Sequence, residues 1–125
     1  YATQNKMAMA ALRNREGSFV TPTLESTSAA AAGAAETMPA DFRVSLVNAP
    51  GKESYGICGF TWILVPENPK NPAKGQAIVS FLRWAIRDGQ KMNAPLLYAT
   101  LPDKVAEMAD ESLRRIRVEG GASPY

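Results

Sequence analysis

The strongest limit on the fold comes from an uncharged run, ICGFTWILV, at residues 57–65. The run is rich in β-branched and aromatic residues, and its apolar positions are consecutive rather than alternating. Strands that are covered on both faces have this composition, and they are typical of sheets that lie between layers of helices. The uncharged run therefore predicts a buried central strand and an α/β fold.

The first half of the chain predicts smaller elements. Weak alternation before residue 20 predicts short strands or extended chain. Thr21, followed by Pro22, is the predicted N-cap of an alanine-rich helix that ends near Ala35. Alternation over residues 42–47 then predicts a half-buried strand.

Two amphipathic helices are predicted after the uncharged run. Asn71 caps the first, with Pro72 at its first position and Gly89 as its C-terminal cap. The second starts after Pro102, with Asp103 in its first turn. The predicted buried stripes are Ile78, Phe81, Leu82, Ala85 and Ile86 in the first helix, and Val105, Met108, Ala109, Leu113 and Ile116 in the second. The tail from residue 119 is expected to be mobile.

Composition removes several kinds of chemistry. The chain has 125 residues, which fits one small domain, and it contains no histidine and one cysteine. Imidazole metal sites, histidine-assisted nucleophiles, intrachain disulfides and cysteine-rich zinc sites are therefore excluded. The net charge of +2 is spread along the sequence, so no nucleic-acid partner is expected. We expect no membrane insertion, because no apolar run reaches about 18 residues.

Residues that can carry chemistry also have ordinary structural roles. Cys58 is either a reactive thiol or, as the uncharged run favours, a small buried residue. Trp62 and Trp84 are interpreted as packing residues rather than as a stacking platform for a ligand. The helix starts at Thr21 and Thr100 are interpreted as ordinary caps rather than anion sites. No catalytic residue, cofactor or metal ligand is predicted.

Charged side chains of the last helix are assigned to its surface. Glu107, Asp110 and Glu111 are predicted to form a solvated face opposite the apolar stripe. The basic group Arg114, Arg115 and Arg117 is predicted at the end of the helix, where cations complement the helix dipole.

Several segments together resemble the phosphate-binding protein of the phosphate ABC transporter, in its C-terminal part. They are SYGICGFTWILV at 54–65, FLRWA at 81–85, DGQ at 88–90, LYATLP at 97–102, YATQNK at 1–6, VTPTLE at 20–25 and DFRVSL at 41–46. The segments follow the order of that family nearly from end to end. The family usually carries proline at the position of Gly56, and an Arg-x-Asp-x-Ser-Gly-Thr segment of the family is absent here.

The resemblance implies part of a type II periplasmic binding protein, in which two α/β lobes close over inorganic phosphate. It places the end of the second lobe at residues 1–55, a hinge-crossing strand at 56–61 and the C-terminal part of the first lobe at 62–125. Cys58, Gly59 and Thr61 are then expected near the cleft between the lobes. Most phosphate contacts are expected upstream of this sequence.

The implied function is non-enzymatic phosphate uptake with an ABC permease, in the periplasm or the extracytoplasmic cell envelope. The segment is expected to contribute hinge and lobe packing. The alternative is a non-binding structural or interaction module that associates with itself or with a completing chain. Phosphate-ester hydrolysis is the least favoured interpretation. The chain starts at Tyr1 without a signal segment, so we expect a processed, truncated or partial polypeptide.

Overall fold

A computed structural model of the chain describes residues 1–118. Its regular elements are a short strand pair, three α-helices and two 3-10 turns, which are joined by irregular chain. The strands are β1 (Leu12–Arg13) and β2 (Phe19–Val20), and the helices are α1 (Leu24–Ala35), α2 (Pro72–Ile86) and α3 (Asp103–Leu113). The 3-10 turns are Asp88–Met92 and Ala94–Leu96. The tail predicted to be mobile lies outside the described residues.

The N-terminal hairpin is fixed by one buried side chain, Asn14. Strands β1 and β2 are antiparallel, with Leu12 opposite Val20. The Asn14 amide nitrogen donates to three carbonyl oxygens of residues 51–54, at 2.8–3.2 Å. Its amide oxygen accepts from the backbone N–H groups of Glu16 and Ser18. Asn14 thus satisfies buried backbone groups on two loops and joins them.

Helix α1 starts two residues later than the sequence predicts. The N-cap is Thr23, whose hydroxyl accepts from the Ser26 backbone N–H at 3.1 Å. The Ser26 hydroxyl in turn accepts from the Thr23 backbone N–H, which completes a capping box. The predicted cap at Thr21 is wrong, because the Thr21 carbonyl instead accepts a hydrogen bond from the Ser26 hydroxyl.

The first core, which we call the alanine cluster, forms where α1 packs on extended chain. Its buried members are Ala30, Ala31, Ala34, Leu46 and Ala49, and the half-buried side chains packed on them are Val44, Cys58 and Phe60. Gly33 lies against Pro50 so closely that an added Cβ would collide with the Pro50 carbonyl oxygen. Small side chains on α1 therefore let the loop backbone reach the helix.

Two predicted strands do not form as regular strands. Residues 42–47 and the uncharged run form no ladder among the described residues. Alternate side chains of residues 42–47 do turn inward, as predicted for a half-buried strand. The prediction of a central strand buried on both faces is wrong for this chain, since Ile57 is 67% exposed and Leu64 is 93% exposed. A strand needs neighbours for its backbone groups, and residues 1–118 do not supply them.

The second core, which we call the helix-pair cluster, lies between α2 and α3. Val79, Leu82, Leu113 and Ile116 are buried there, and the partly buried side chains around them are Val65, Ile78, Ile86 and Val118. The Asn71 cap is confirmed by a 3.0 Å hydrogen bond from the Lys74 backbone N–H.

Some details of the helix pair differ from the prediction. Helix α2 ends at Ile86, and Gly89 lies in the following 3-10 turn, where a Cβ would crowd Trp84. Phe81 is 59% exposed rather than buried, because Val79 takes the inward position. Helix α3 starts after Pro102 as predicted, but Pro102 is itself the N-cap and no side chain caps the helix, so the predicted cap at Thr100 is wrong.

The described residues thus form a helix-rich arrangement with one two-stranded sheet. Within them, no helix has the length and apolar character needed to cross a membrane.

Candidate functional site

The three residues predicted near a cleft lie together on the uncharged run but face two ways. Cys58 is half-buried and packs on the alanine cluster. Gly59 and Thr61 are exposed on the other side of the run. No atom lies within 4 Å of a Cβ built at Gly59, so this position has open space around it. The three residues predicted near the cleft are therefore close in sequence, but Cys58 lies on a packed face of the run, and Gly59 and Thr61 lie on an open face.

Cys58 has the environment of a structural thiol. Its Sγ lies 3.4 Å from the Tyr55 carbonyl oxygen, to which the thiol donates. Partial burial raises the pKa of the thiol, against a smaller opposing effect of a hydrogen bond with Thr27. A raised pKa reduces the thiolate fraction, so the interpretation of Cys58 as a packing residue is favoured over a reactive one.

An apolar groove of about 360 Å³ runs beside the second half of the uncharged run. One wall is made by Phe42, Trp62, Ile63 and Leu64, and the floor by side chains of α2 and α3. Asp41, Glu67 and Arg115 lie at the groove, and Arg115 pairs with Glu67 at 3.9 Å. Trp62 is half-exposed and its indole N–H donates to the Phe42 carbonyl at 3.1 Å, so it is a wall rather than a core residue.

Contacts also join the two halves of the chain on either side of the uncharged run. The Ser28 hydroxyl of α1 donates to the Thr100 carbonyl at 2.9 Å. Lys104 of α3 lies 2.9 Å from the Glu36 carboxylate, which follows α1. The Arg115 guanidinium also donates to the Ala40 carbonyl, at 3.5 Å. All three polar contacts are exposed.

A buried carboxylate, Asp110, connects α2 with α3. It is 6% exposed, so the prediction that it lies on a solvated face is wrong, while Glu107 and Glu111 are exposed as predicted. Arg87 donates to Asp110 at 2.8 Å, Arg83 lies 3.6 Å away and Arg114 lies 3.8 Å away. The Arg87 hydrogen bond, with the charges of all three arginines, lowers the pKa of Asp110.

This arginine cluster can clamp two helices, and it does not resemble a catalytic acid. A depressed pKa keeps Asp110 ionised, which removes it as a proton donor at neutral pH. Arg114 is the residue after α3 and also pairs with Glu111 at 3.4 Å. The sequence signal that could have identified Asp110 is the placement of Arg83 and Arg87 one turn apart on the facing helix.

The helix starts do not form anion sites. Glu25 lies in the first turn of α1, and it lines a shallow pocket there together with Glu53. Hydrogen bonds from its own backbone and from Thr23 lower the pKa of Glu25, so negative charge already occupies this helix end. At the start of α3, a pocket of about 470 Å³ contains Arg87 but also Asp103 and Glu107. The interpretation of both starts as ordinary helix ends is favoured.

Within residues 1–118, no three potential metal ligands come together.

No family model matches the chain. Individual proteins do match it. A phosphate-binding protein PstS of Xylella fastidiosa, strain Temecula1, is 36% identical over 110 residues, which is 88% of this chain and 30% of that protein. The PstS of Methanocaldococcus jannaschii is 35% identical over 130 residues, covering 94% of this chain and 33% of that protein. The PstS of Pasteurella multocida is 35% identical over 107 residues, covering 86% of this chain and 31% of that protein.

The resemblance found in the sequence is therefore confirmed by relatives from bacteria and from an archaeon. All three relatives are named as phosphate-binding proteins. The chain spans about a third of the length of the curated relatives it matches.

Proposed function

Since the chain is homologous over most of its length to phosphate-binding proteins, we propose that it is a segment of a solute-binding protein for inorganic phosphate. The observation that carries this proposal is the 36% identity over 110 residues, which spans both halves of the chain and the uncharged run. The protein delivers phosphate to an ABC permease from the periplasm or the extracytoplasmic envelope. It is a binding protein and not an enzyme.

In this proposal the chain supplies hinge and lobe packing, and the remainder of the binding protein supplies most phosphate contacts. Residues 1–55 end one lobe, residues 56–61 cross between the lobes as part of a type II binding protein, and residues 62–125 end the other lobe. The open space around Gly59 supports a hinge there, because no side chain or backbone atom outside its two neighbours packs against this position. Cys58 and Thr61 lie beside that point, near the cleft.

Phosphate is held by closure of the two lobes around the desolvated oxyanion. Neutral N–H and O–H donors and an arginine bind the oxygens, and the anion leaves when the permease opens the lobes. The polar contacts between the two halves support such movement, since Ser28–Thr100, Lys104–Glu36 and Arg115–Ala40 are all exposed.

Replacing the matched third of the Xylella fastidiosa protein with this chain tests the proposal directly. Calorimetric titration of the phosphate-free chimera is expected to show saturable phosphate binding, and the chain alone is expected to give little heat. A folded chimera that binds no phosphate would contradict the proposed function.

The substitution Gly59→Val tests whether Gly59 acts as a hinge or is an ordinary loop position. A β-branched residue restricts backbone rotation without meeting a neighbour, so the chain should keep its free energy of unfolding within about 0.5 kcal/mol. Phosphate binding by the chimera should nevertheless weaken. Unchanged phosphate affinity would remove Gly59 from the hinge.

The alternative is a module that no longer binds ligand and associates with itself or with a completing chain. Exposed large apolar side chains favour it, among them Ile63, Leu64 and Phe81. Sedimentation of the chain alone separates the two: a stable oligomer together with a chimera that binds no phosphate would favour the alternative.

A further inference from the structure

Buried polar contacts fix the loop that leads into the uncharged run. The Asn14 side-chain nitrogen donates to the backbone carbonyls of Gly51, Lys52 and Ser54, at 3.2, 2.8 and 3.1 Å. Asn14 is 5% exposed and Ser54 is 1% exposed, so water competes little for these hydrogen bonds. A primary amide carries two N–H donors, which the three carbonyl oxygens therefore share. A side chain 37–40 residues away in the sequence thus holds the loop at 51–54.

The other end of the Asn14 amide holds the hairpin turn. Its oxygen accepts from the backbone N–H groups of Glu16 and Ser18, at 3.1 and 3.0 Å. The Asn14 backbone N–H also donates to the Ser18 carbonyl at 2.8 Å. The nitrogen faces three acceptors and the oxygen faces two donors, which sets the orientation of the amide. The turn and the loop are therefore coupled through one rigid group.

Two further hydrogen bonds fix the start of the proposed crossing segment. The Tyr55 backbone N–H donates to the Ser26 carbonyl of α1 at 3.2 Å, and the Asn48 N–H donates to the Gly56 carbonyl at 2.9 Å. Ser26 is itself buried and forms part of the capping box of α1. All of these donors and acceptors lie within residues 1–56. The crossing segment therefore starts from a point that is tied to the hairpin, to α1 and to the preceding chain.

A fixed starting point matters for closure of the lobes. In the proposed function, the crossing segment carries the relative rotation of the lobes, and phosphate is held in the closed arrangement. If the start of that segment moves relative to its own lobe, more arrangements of the two lobes become accessible, and the closed arrangement becomes a smaller fraction of them. The apparent affinity for phosphate falls with that fraction.

We propose that Asn14 is a positioning residue for phosphate binding, because its amide fixes the loop at 51–54 and with it the entry to the crossing segment. Asn14 does not contact phosphate in this proposal. It acts on phosphate affinity through the arrangement of the lobes. This inference rests on the proposed function and adds a residue that lies outside the set expected near the cleft.

Asn14→Asp separates the two ends of the amide. The carboxylate keeps an oxygen for the N–H groups of the hairpin turn, but it has no donor for the three carbonyls of the loop. In the chain alone, the Ser54 and Tyr55 amides should exchange on the order of 10-fold faster, or more, than in the wild type. The Leu82 amide in α2 is the reference and should be unaffected. Unchanged exchange at Ser54 and Tyr55 would overturn the proposal.

Phosphate titration of the chimera with the Xylella fastidiosa protein distinguishes a positioning role from a purely stabilising one. Asn14→Asp should weaken phosphate binding by the folded chimera roughly 2- to 30-fold. Leu82→Ala is the matched control, because it destabilises the helix-pair cluster, which does not include the loop or the hairpin. This control should lower the free energy of unfolding and leave phosphate affinity unchanged. Wild-type affinity in the Asn14 variant, or equal losses of affinity in both variants, would overturn the positioning role.

Asn14→Ser is the second variant and is decisive if the buried carboxylate prevents folding. A serine hydroxyl can still accept from the hairpin turn and adds no charge, but it is too short to reach the loop carbonyls. The same weakening of phosphate binding is expected, and wild-type affinity would again overturn the proposal.

Failure of the proposed function gives a different result. A wild-type chimera that binds no phosphate would reject the proposed function and, with it, a role of Asn14 in binding. Exchange of the Ser54 and Tyr55 amides in the chain alone would then still decide whether Asn14 anchors the loop.

Discussion

The alanine cluster and the helix-pair cluster are closed in opposite ways. In the alanine cluster, α1 presents small residues, and a loop backbone approaches the helix at Gly33. In the helix-pair cluster, branched side chains such as Val79 and Leu82 fill the space, and Asp110 clamps the two helices. The first core is therefore expected to be intolerant of added atoms, and the second of removed atoms.

The largest effect is expected from Gly33→Ala. On helix propensity alone, alanine would stabilise α1 by roughly 1 kcal/mol. The added Cβ instead collides with the Pro50 carbonyl oxygen, which belongs to the backbone and cannot rotate away. We expect a loss of about 3 kcal/mol in the free energy of unfolding, measured by urea denaturation. Gly59→Ala is the control, since its Cβ meets nothing within 4 Å, and an equal loss there would contradict close packing at Gly33.

Leu82→Ala tests the other core. Leu82 is buried between α2 and α3, so truncation should cost about 2–3 kcal/mol, the lower part of the usual range, because the adjoining groove lets the site relax. Phe81→Ala removes a larger side chain from the next position of the same helix, but this ring is exposed. Phe81→Ala should therefore lower the free energy of unfolding by less than about 0.5 kcal/mol. Similar losses for both variants would show that α2 packs on a different face.

These two variants also mark how far the sequence predicts the fold. The Asn71 cap and apolar spacing predict α2 well, and Pro102 with apolar spacing predicts α3, because these signals are local to each helix. The sequence did not identify Gly33 as a contact, nor Asn14 as the centre of a hydrogen-bond network, since their partners lie 17 residues and about 40 residues away. The uncharged run carries the signal of a buried strand, but burial depends on neighbours that residues 1–118 do not contain.

The same distinction applies to the candidate site. Composition indicated no catalytic centre, and the resemblance led to Cys58, Gly59 and Thr61. Cys58 and Gly59 lie on opposite sides of the run. The sequence could have predicted this, because neighbouring residues of an extended segment point to opposite faces. The burial of Asp110 could be predicted only from the facing helix, where Arg83 and Arg87 lie one turn apart, because the pattern of α3 alone is the same whether or not arginines face it.

Asp110→Asn is expected to have an intermediate effect of about 1–2 kcal/mol at neutral pH. Loss of the carboxylate leaves three arginines close together, but their partial exposure reduces the cost below that of a fully buried pair. Glu107→Gln on the exposed side of α3 is the control and should be nearly neutral. An Asp110 variant as stable as this control would show that the arginine cluster does not clamp the helices.

The pH dependence of stability gives a second test of Asp110. Because its pKa is lowered in the folded chain, the unfolded chain binds more protons near pH 4. The contribution of Asp110 is thus present above about pH 4 and is lost as pH falls through the folded pKa. Glu25 and Asp88 also have lowered pKa values, so the difference between the wild-type chain and Asp110→Asn isolates Asp110. That difference should shrink as the pH falls below 4.

The smallest effect is expected from Lys104→Met, which removes the ion pair with Glu36, one of the exposed contacts between the two regions. Both partners are at least half exposed, so the pair should contribute about 0.5 kcal/mol or less, and less again at high salt. A double-mutant cycle with Glu36→Gln measures this coupling, and Lys91→Met, which breaks an ion pair with Asp88 within one turn, is the control. Weak coupling lets the alanine cluster and the helix-pair cluster unfold separately, so Gly33→Ala would expose the amides of α1 before those of α2. A coupling well above 1 kcal/mol would instead make the two regions one cooperative unit, and a hinge between them would then have to break contacts that this chain holds firmly.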